Sequence, residues 1–160
     1  MAKVEDIVLN ASQNYANALG ISIDQLIDHV LDLKNKGYGE EQIIDILSKV
    51  NVENVVYKNA VMTAAVLKNM EMTGKVSGKF LSSMELAERT SIIAYSRGAL
   101  QEARRKLMYH VLQGSSRERM AYDLYRTGVY SNREVVAHIN TTLSNFSRAV
   151  TLKMSESDDG

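Results

Sequence analysis

The stretch SSRERMAYDLYRTGVYSNREVVAHINTTLSNFSRAVTLKM, Ser115 to Met154, decides how the chain folds. Ser115-Ser116-Arg117-Glu118 has the S-x-x-E spacing of a capping box, in which a serine oxygen takes a free backbone N–H and the glutamate reaches back to the cap. Ser131-Asn132-Arg133-Glu134 repeats it. Between the two, Met120, Ala121, Leu124 and Tyr125 recur at helical spacing, and Gly128 supplies a stop. Val135, Val136 and Ile139 follow the second cap. Asn140-Thr141-Thr142 reads as a polar break, and Leu143, Phe146, Ala149 and Val150 line one face of a last helix. The stretch therefore predicts three short helices.

Two functions compete for such a unit. Helix, short turn, helix is the outline of a DNA-reading helix-turn-helix, whose second helix enters the major groove. On that reading Thr142, Ser144, Asn145, Ser147 and Arg148 face DNA, and Arg117, Arg119, Arg126 and Arg133 touch phosphates, which position the protein without reading sequence. The alternative is an ordinary packing unit of amphipathic helices in an all-α assembly protein. Asp32…Gly37 followed by Gln42-Ile43-Ile44 echoes Asp123…Gly128 followed by Glu134-Val135-Val136. A duplicated packing unit explains both copies without DNA.

Outward from this stretch the helical signals continue. Val4, Ile7, Val8, Ala11, Tyr15 and Ala18 mark a first helix that Gly20 ends, and Ser22-Ile23-Asp24-Gln25 opens a second. Gly37 and Gly39 break that one. Ser82-Ser83-Met84-Glu85 caps the longest helix, with Gly98 in its middle at a cost of up to about 1 kcal/mol relative to alanine, which suits a close crossing. Its polar side carries Arg97, Arg104, Arg105 and Lys106, the sharpest basic cluster in the sequence. The resulting expectation is an all-α bundle of seven or eight helices, near 4–19, 23–36, 40–49, 52–72, 83–113, 116–127, 132–139 and 143–154, in one domain ending in an acidic disordered tail over 155–160.

Composition supports this class. In 160 residues there is no proline, where average usage would give roughly eight, so long uninterrupted helices are favoured. Cysteine is absent, which removes disulfides and thiolate metal sites. No apolar run approaches the ~20 residues of a membrane span, so no membrane partner is expected. The formal charge of zero hides an asymmetry: residues 1–90 sum to −3, residues 91–153 to +6 and the last seven to −3. Such a split points to a polyanion, double-stranded DNA included, or to contacts between copies.

Catalysis finds no motif. Gly74-Lys75-Val76-Ser77-Gly78-Lys79 fails as a phosphate loop, because three residues separate its glycines and Phe80 stands where Ser or Thr should follow the lysine. His29, His110 and His138 are widely separated. Glu134 and His138 lie four apart on one helix face, a spacing more often spent on a surface hydrogen bond than on a metal. A non-enzymatic protein without metal or cofactor is expected.

Gly114-Ser115 through Leu152, and in particular Ile139-Asn140-Thr141-Thr142-Leu143-Ser144-Asn145-Phe146-Ser147-Arg148-Ala149-Val150, resembles the helical part of bacteriophage minor head (head-morphogenesis) proteins. Glu85-Leu86-Ala87-Glu88-Arg89-Thr90 through Arg104-Arg105 is similar in style. The resemblance implies a virion component near the portal or inner capsid, made in a bacterial host, present in several copies and working by assembly, with DNA as a second contact. The helix-turn-helix alternative implies a packaging factor of the small-terminase kind or a transcriptional regulator.

Overall fold

A computed structural model describes residues 4–65, 78–126 and 132–159. Among them lie six helices and no strand: α1 Val4–Asn35, α2 Glu40–Lys49, α3 Glu53–Ala65, α4 Gly78–Gln113, α5 Arg117–Arg126 and α6 Asn132–Asp159. The order is twice long helix, ten-residue helix, third helix. None of the helices is long and apolar enough to cross a membrane among the described residues.

Two expected breaks are absent, and both for one reason. Gly20 and the Ser22 cap do not divide α1, which runs as 32 residues. Its buried positions, Val8, Ala11, Tyr15, Leu19, Ile23, Leu26, Val30 and Leu33, keep a three- and four-residue rhythm through the glycine. Burying a Leu or Ile side chain is worth about 1.5–3 kcal/mol, more than the ~1 kcal/mol an internal glycine costs. Ser22 caps nothing; its hydroxyl donates to the Val52 carbonyl at 2.9 Å. In α6 the buried series Val135, Ile139, Leu143, Phe146 likewise runs through Asn140-Thr141-Thr142. Thr142 Oγ1 donates back to the His138 carbonyl at 3.0 Å, and Ser144 Oγ donates to Asn140 Oδ1 at 3.2 Å, so these polar side chains are satisfied without leaving the helix. The expected helices 132–139 and 143–154 are one helix, which continues to Asp159 through residues read as a disordered tail.

Other boundaries move less. α4 begins at Gly78 rather than at residue 83. The caps expected from Gly128 and Ser131, and residues 66–72 of the expected fourth helix, lie outside the described residues. The stops that do act are Gly37 and Gly114. Gly37 has φ 86°, and the N–H groups of Gly37 and Tyr38 bond the carbonyls of Lys34 and Leu33 at 3.1 Å each. Gly114 has φ 66°, with Gly114 N–H on Val111 and Ser115 N–H on His110 at 3.2 and 3.0 Å. Each closes the end of a long helix with a left-handed residue that glycine adopts without a Cβ penalty.

α1 touches all five other helices. Tyr15 meets Ser96 near the middle of α4, while Val30 and Lys34 share a cavity wall with His110 and Val111, so α1 and α4 run side by side in one direction. α3 returns between them: Tyr57 lies at Arg97 and Glu53 at Arg104. α6 packs along α1 and reaches α4 through a ring stack of His138 on Tyr95, centroids 4.3 Å apart and planes 15° from parallel. The core cluster takes residues from every one of the six helices. Inside it the Tyr15 hydroxyl bonds Ser96, whose own Oγ bonds the Ile92 carbonyl at 2.9 Å, and burial pushes the phenol well above its ordinary range.

Leu26 is fully buried, so Leu26→Ala is expected to lower unfolding free energy by about 2–5 kcal/mol. Tyr15→Phe, which removes one buried hydroxyl while Ser96 keeps its helix carbonyl, should cost only about 1 kcal/mol. Denaturant titration of the two variants checks the order, and equal losses would contradict it.

Candidate functional site

The basic residues singled out in the sequence were expected to form one face. At 100° per residue, however, neighbours on a helix point apart, and α4 sends its cluster in separate directions. Arg104 turns toward the α2–α3 connection. Its Nη2 donates to the Val50 carbonyl at 2.8 Å and pairs with Glu53, both side chains mostly buried. Its Nε is buried without a hydrogen-bond partner among the described residues. Lys106 turns toward α5, with Nζ 3.5 Å from Asp123 Oδ1. Arg105 faces outward, pairs with Glu102 one turn back and lies 5.8 Å over the Tyr109 ring. The Arg105 hydrogen bond holds the Glu102 carboxyl below its usual range. Arg97 is exposed, and its Nε donates weakly to the Tyr57 hydroxyl at 3.4 Å.

The arginines of the last third are dispersed as well. Arg117 opens α5 and pairs with Asp28 of α1 at 2.6 Å. Arg119 is exposed in the same first turn, and its backbone N–H donates to Ser116 Oγ at 3.2 Å. Ser116, not Ser115, is thus the cap of α5. Arg126 is the last residue of that helix, with its side chain outside the described residues. Arg133 is exposed in the first turn of α6. Of the residues assigned to base reading, Thr142 and Ser144 are half-buried and bonded within α6, Asn145 and Arg148 are exposed one turn apart, and the Ser147 side chain lies outside the described residues. The turn that would present them as a separate recognition helix is not there.

A cluster that spacing did not reveal closes the α4–α5 turn. His110 is buried. Its Nδ1 lies 2.8 Å from Ser115 Oγ and its Nε2 2.8 Å from Asp123 Oδ2, the carboxylate that also faces Lys106. One ring nitrogen faces the serine hydroxyl and the other the carboxylate, so both are engaged. The fully engaged ring and the 4% exposure of Ser115 make this a brace for the turn. The only sequence signal was Lys106 and His110 four apart on one helix face; Asp123 comes from another helix. A cavity of about 230 Å³ lies against the brace, with Val30, Lys34, Tyr38, Ile43, Val111 and Met120 among its walls. A second tie runs from α5 to α1, where the Tyr125 hydroxyl donates to Asp24. Burial, then the neighbouring Asp28, raises the Asp24 carboxyl above its usual range.

Among the described residues no group of three or more His, Cys, Asp or Glu side chains could hold a metal ion. Glu134 and His138 are both exposed, and the His138 ring is stacked on Tyr95. No family model, curated protein or solved structure matches the chain.

Removing one member of a mostly buried ion pair strands the other, whereas exposed pairs contribute little. Arg104→Ala is therefore expected to destabilise the protein by about 3 kcal/mol, and Arg105→Ala to leave the unfolding midpoint where it is. Thermal and urea unfolding of both variants checks the contrast; equal effects would mean that Arg104 does not tie α4 to the α2–α3 connection.

Proposed function

We propose that this is a non-enzymatic structural protein that works by assembly through its helical faces, in several copies, as a component of a phage head. The phage context rests on the sequence resemblance of residues 85–105 and 114–152 to head-morphogenesis proteins. The assembly mode rests on one observation: three of the four cations of the strongest basic cluster are already paired with the chain's own carboxylates, while the outward face of the same helix also presents apolar side chains. Arg104 and Lys106 meet Glu53 and Asp123, and Arg105 meets Glu102. Tyr109 and Leu112, one turn apart on α4, are each 57% exposed. Cations already holding the chain's own carboxylates are poor phosphate ligands, since a competing phosphate must break an existing pair. Exposed large apolar groups sharing a helix face are instead the raw material of a protein interface.

Light scattering behind a sizing column is expected to give a mass rising with concentration to at least twice the 17.8 kDa of one chain. A mass of one chain at every concentration would contradict the reading. Duplex-DNA anisotropy over a salt series decides the alternative. Weak binding at low salt is expected, whereas tight binding that falls steeply with salt would mean that phosphates are being neutralised and would favour a DNA-packaging role.

A further inference from the structure

The cavity against the His110 brace is bordered by both sharp turns of the fold. Gly39 of the α1–α2 turn and Gly114 of the α4–α5 turn line it. It measures about 230 Å³, whereas packed interiors leave few voids larger than a water molecule. Val30, Ile43, Val111 and Met120 give it an apolar floor, and each is at most 7% exposed. The polar side chains on its inner wall are already spent: His110 and Ser115 bond each other, and the second ring nitrogen of His110 meets Asp123. A buried water needs two to four polar partners, so water against this floor is poorly held, and an apolar group displaces it at a gain. The solvent side of the cavity differs. Lys34 at the end of α1 and Glu40 at the start of α2 line it, and both are exposed. Among the described residues neither side chain is paired, with the other or with a third group, although Lys36 nearby holds Asp32 at 2.9 Å.

We propose that this cavity binds a free apolar α-amino acid of leucine or phenylalanine size, side chain inward, its carboxylate at Lys34 and its ammonium at Glu40. Size fits the inner part. A cavity of ~150 Å³ holds benzene, and this one, about one and a half times larger, takes a branched aliphatic or aromatic side chain with the α-carbon at the opening. Chemistry fits it too. With His110 and Ser115 engaged, a polar side chain carried inward would be buried without a hydrogen bond, which is costly. Charge complementarity selects the head group. An apolar carboxylate would satisfy Lys34 but set a like charge against Glu40, and an apolar amine would do the reverse. A plain hydrocarbon gains from neither. Only a zwitterion with an apolar side chain uses the floor and both charges at once.

Titration of L-leucine and L-phenylalanine into the full chain, followed by NMR, is expected to give saturable shifts with a Kd below about 1 mM. Nuclear Overhauser contacts from the ligand side chain to the methyl groups of Ile43 and Met120 should place it in the cavity. 3-Phenylpropionate and phenethylamine, each lacking one charge of phenylalanine, are expected to bind about fivefold more weakly. Lys34→Met should cost phenylalanine a similar factor and erase its advantage over phenethylamine, and Glu40→Gln should erase its advantage over 3-phenylpropionate. Both variants alter exposed side chains, so the fold is kept. Val111→Phe, which fills the cavity, should abolish binding. No saturable shift for either amino acid up to about 10 mM would overturn the proposal. So would contacts that place the ligand outside the cavity, or one-charge analogues that bind the unaltered protein as tightly as phenylalanine.

Discussion

The structure depends on the unbroken apolar stripe of α1. Tyr15, Leu19, Ile23 and Leu26 have no exposed surface, and they sit in the middle of a helix that every other helix touches. Had the chain stopped at Gly20, the two halves of that stripe would have been free to turn relative to each other. Carried through the glycine, they fix one continuous wall. α3 and α6 pack along it, α4 runs beside it in register at Tyr15 and Ser96, and the two ten-residue helices α2 and α5 complete its far end. Each of those short helices follows a left-handed glycine, Gly37 or Gly114, that ends a long helix sharply enough for the next to fold back.

The charge asymmetry of the sequence has a structural meaning in this light. The acidic first part and the basic later part are joined by ion pairs: Arg104 of α4 with Glu53 of α3, and Arg117 of α5 with Asp28 of α1. The first is mostly buried and the second largely exposed. They therefore differ in weight, because losing one partner of a desolvated pair costs far more than losing one in water. A distribution that looked like a surface for polyanions is to this extent the chain's attraction for itself. What remains outward on the long fourth helix is mixed: Arg105 already holding Glu102, then Tyr109 and Leu112.

Much of this was legible in the sequence, and the failures share a cause. The all-helical class, the extent of α2 and the apolar faces of α1, α5 and α6 followed from periodicity and the absence of proline. Gly20 and Asn140-Thr141-Thr142 were read as stops because local propensity favours them there. Propensity is worth about 1 kcal/mol, and the stripes of Leu, Ile and Phe side chains on either side outweigh it. The basic cluster of α4 was legible as a list of residues but not as directions, since 104, 105 and 106 point three ways. Ser115 was read as a cap because its spacing to Glu118 fits one. His110 takes its hydroxyl instead, and the cap passes to Ser116. Contacts between distant parts of the chain, such as Asp123 on His110 or Tyr125 on Asp24, leave no trace in local spacing.

The central claim is that α1 and α6 are single helices running through their apparent breaks. Amide hydrogen exchange, read residue by residue across Leu19–Ile23 and Ile139–Leu143, tests it most directly, because opening free energy is measured where the two readings differ. Protection across both stretches comparable to that of the flanking core turns is the result this account predicts. Exchange near the unstructured rate at Asn140–Thr142 would contradict it and restore a turn to the C-terminal unit; the same result at Gly20–Ser22 would divide the wall on which the other helices are built.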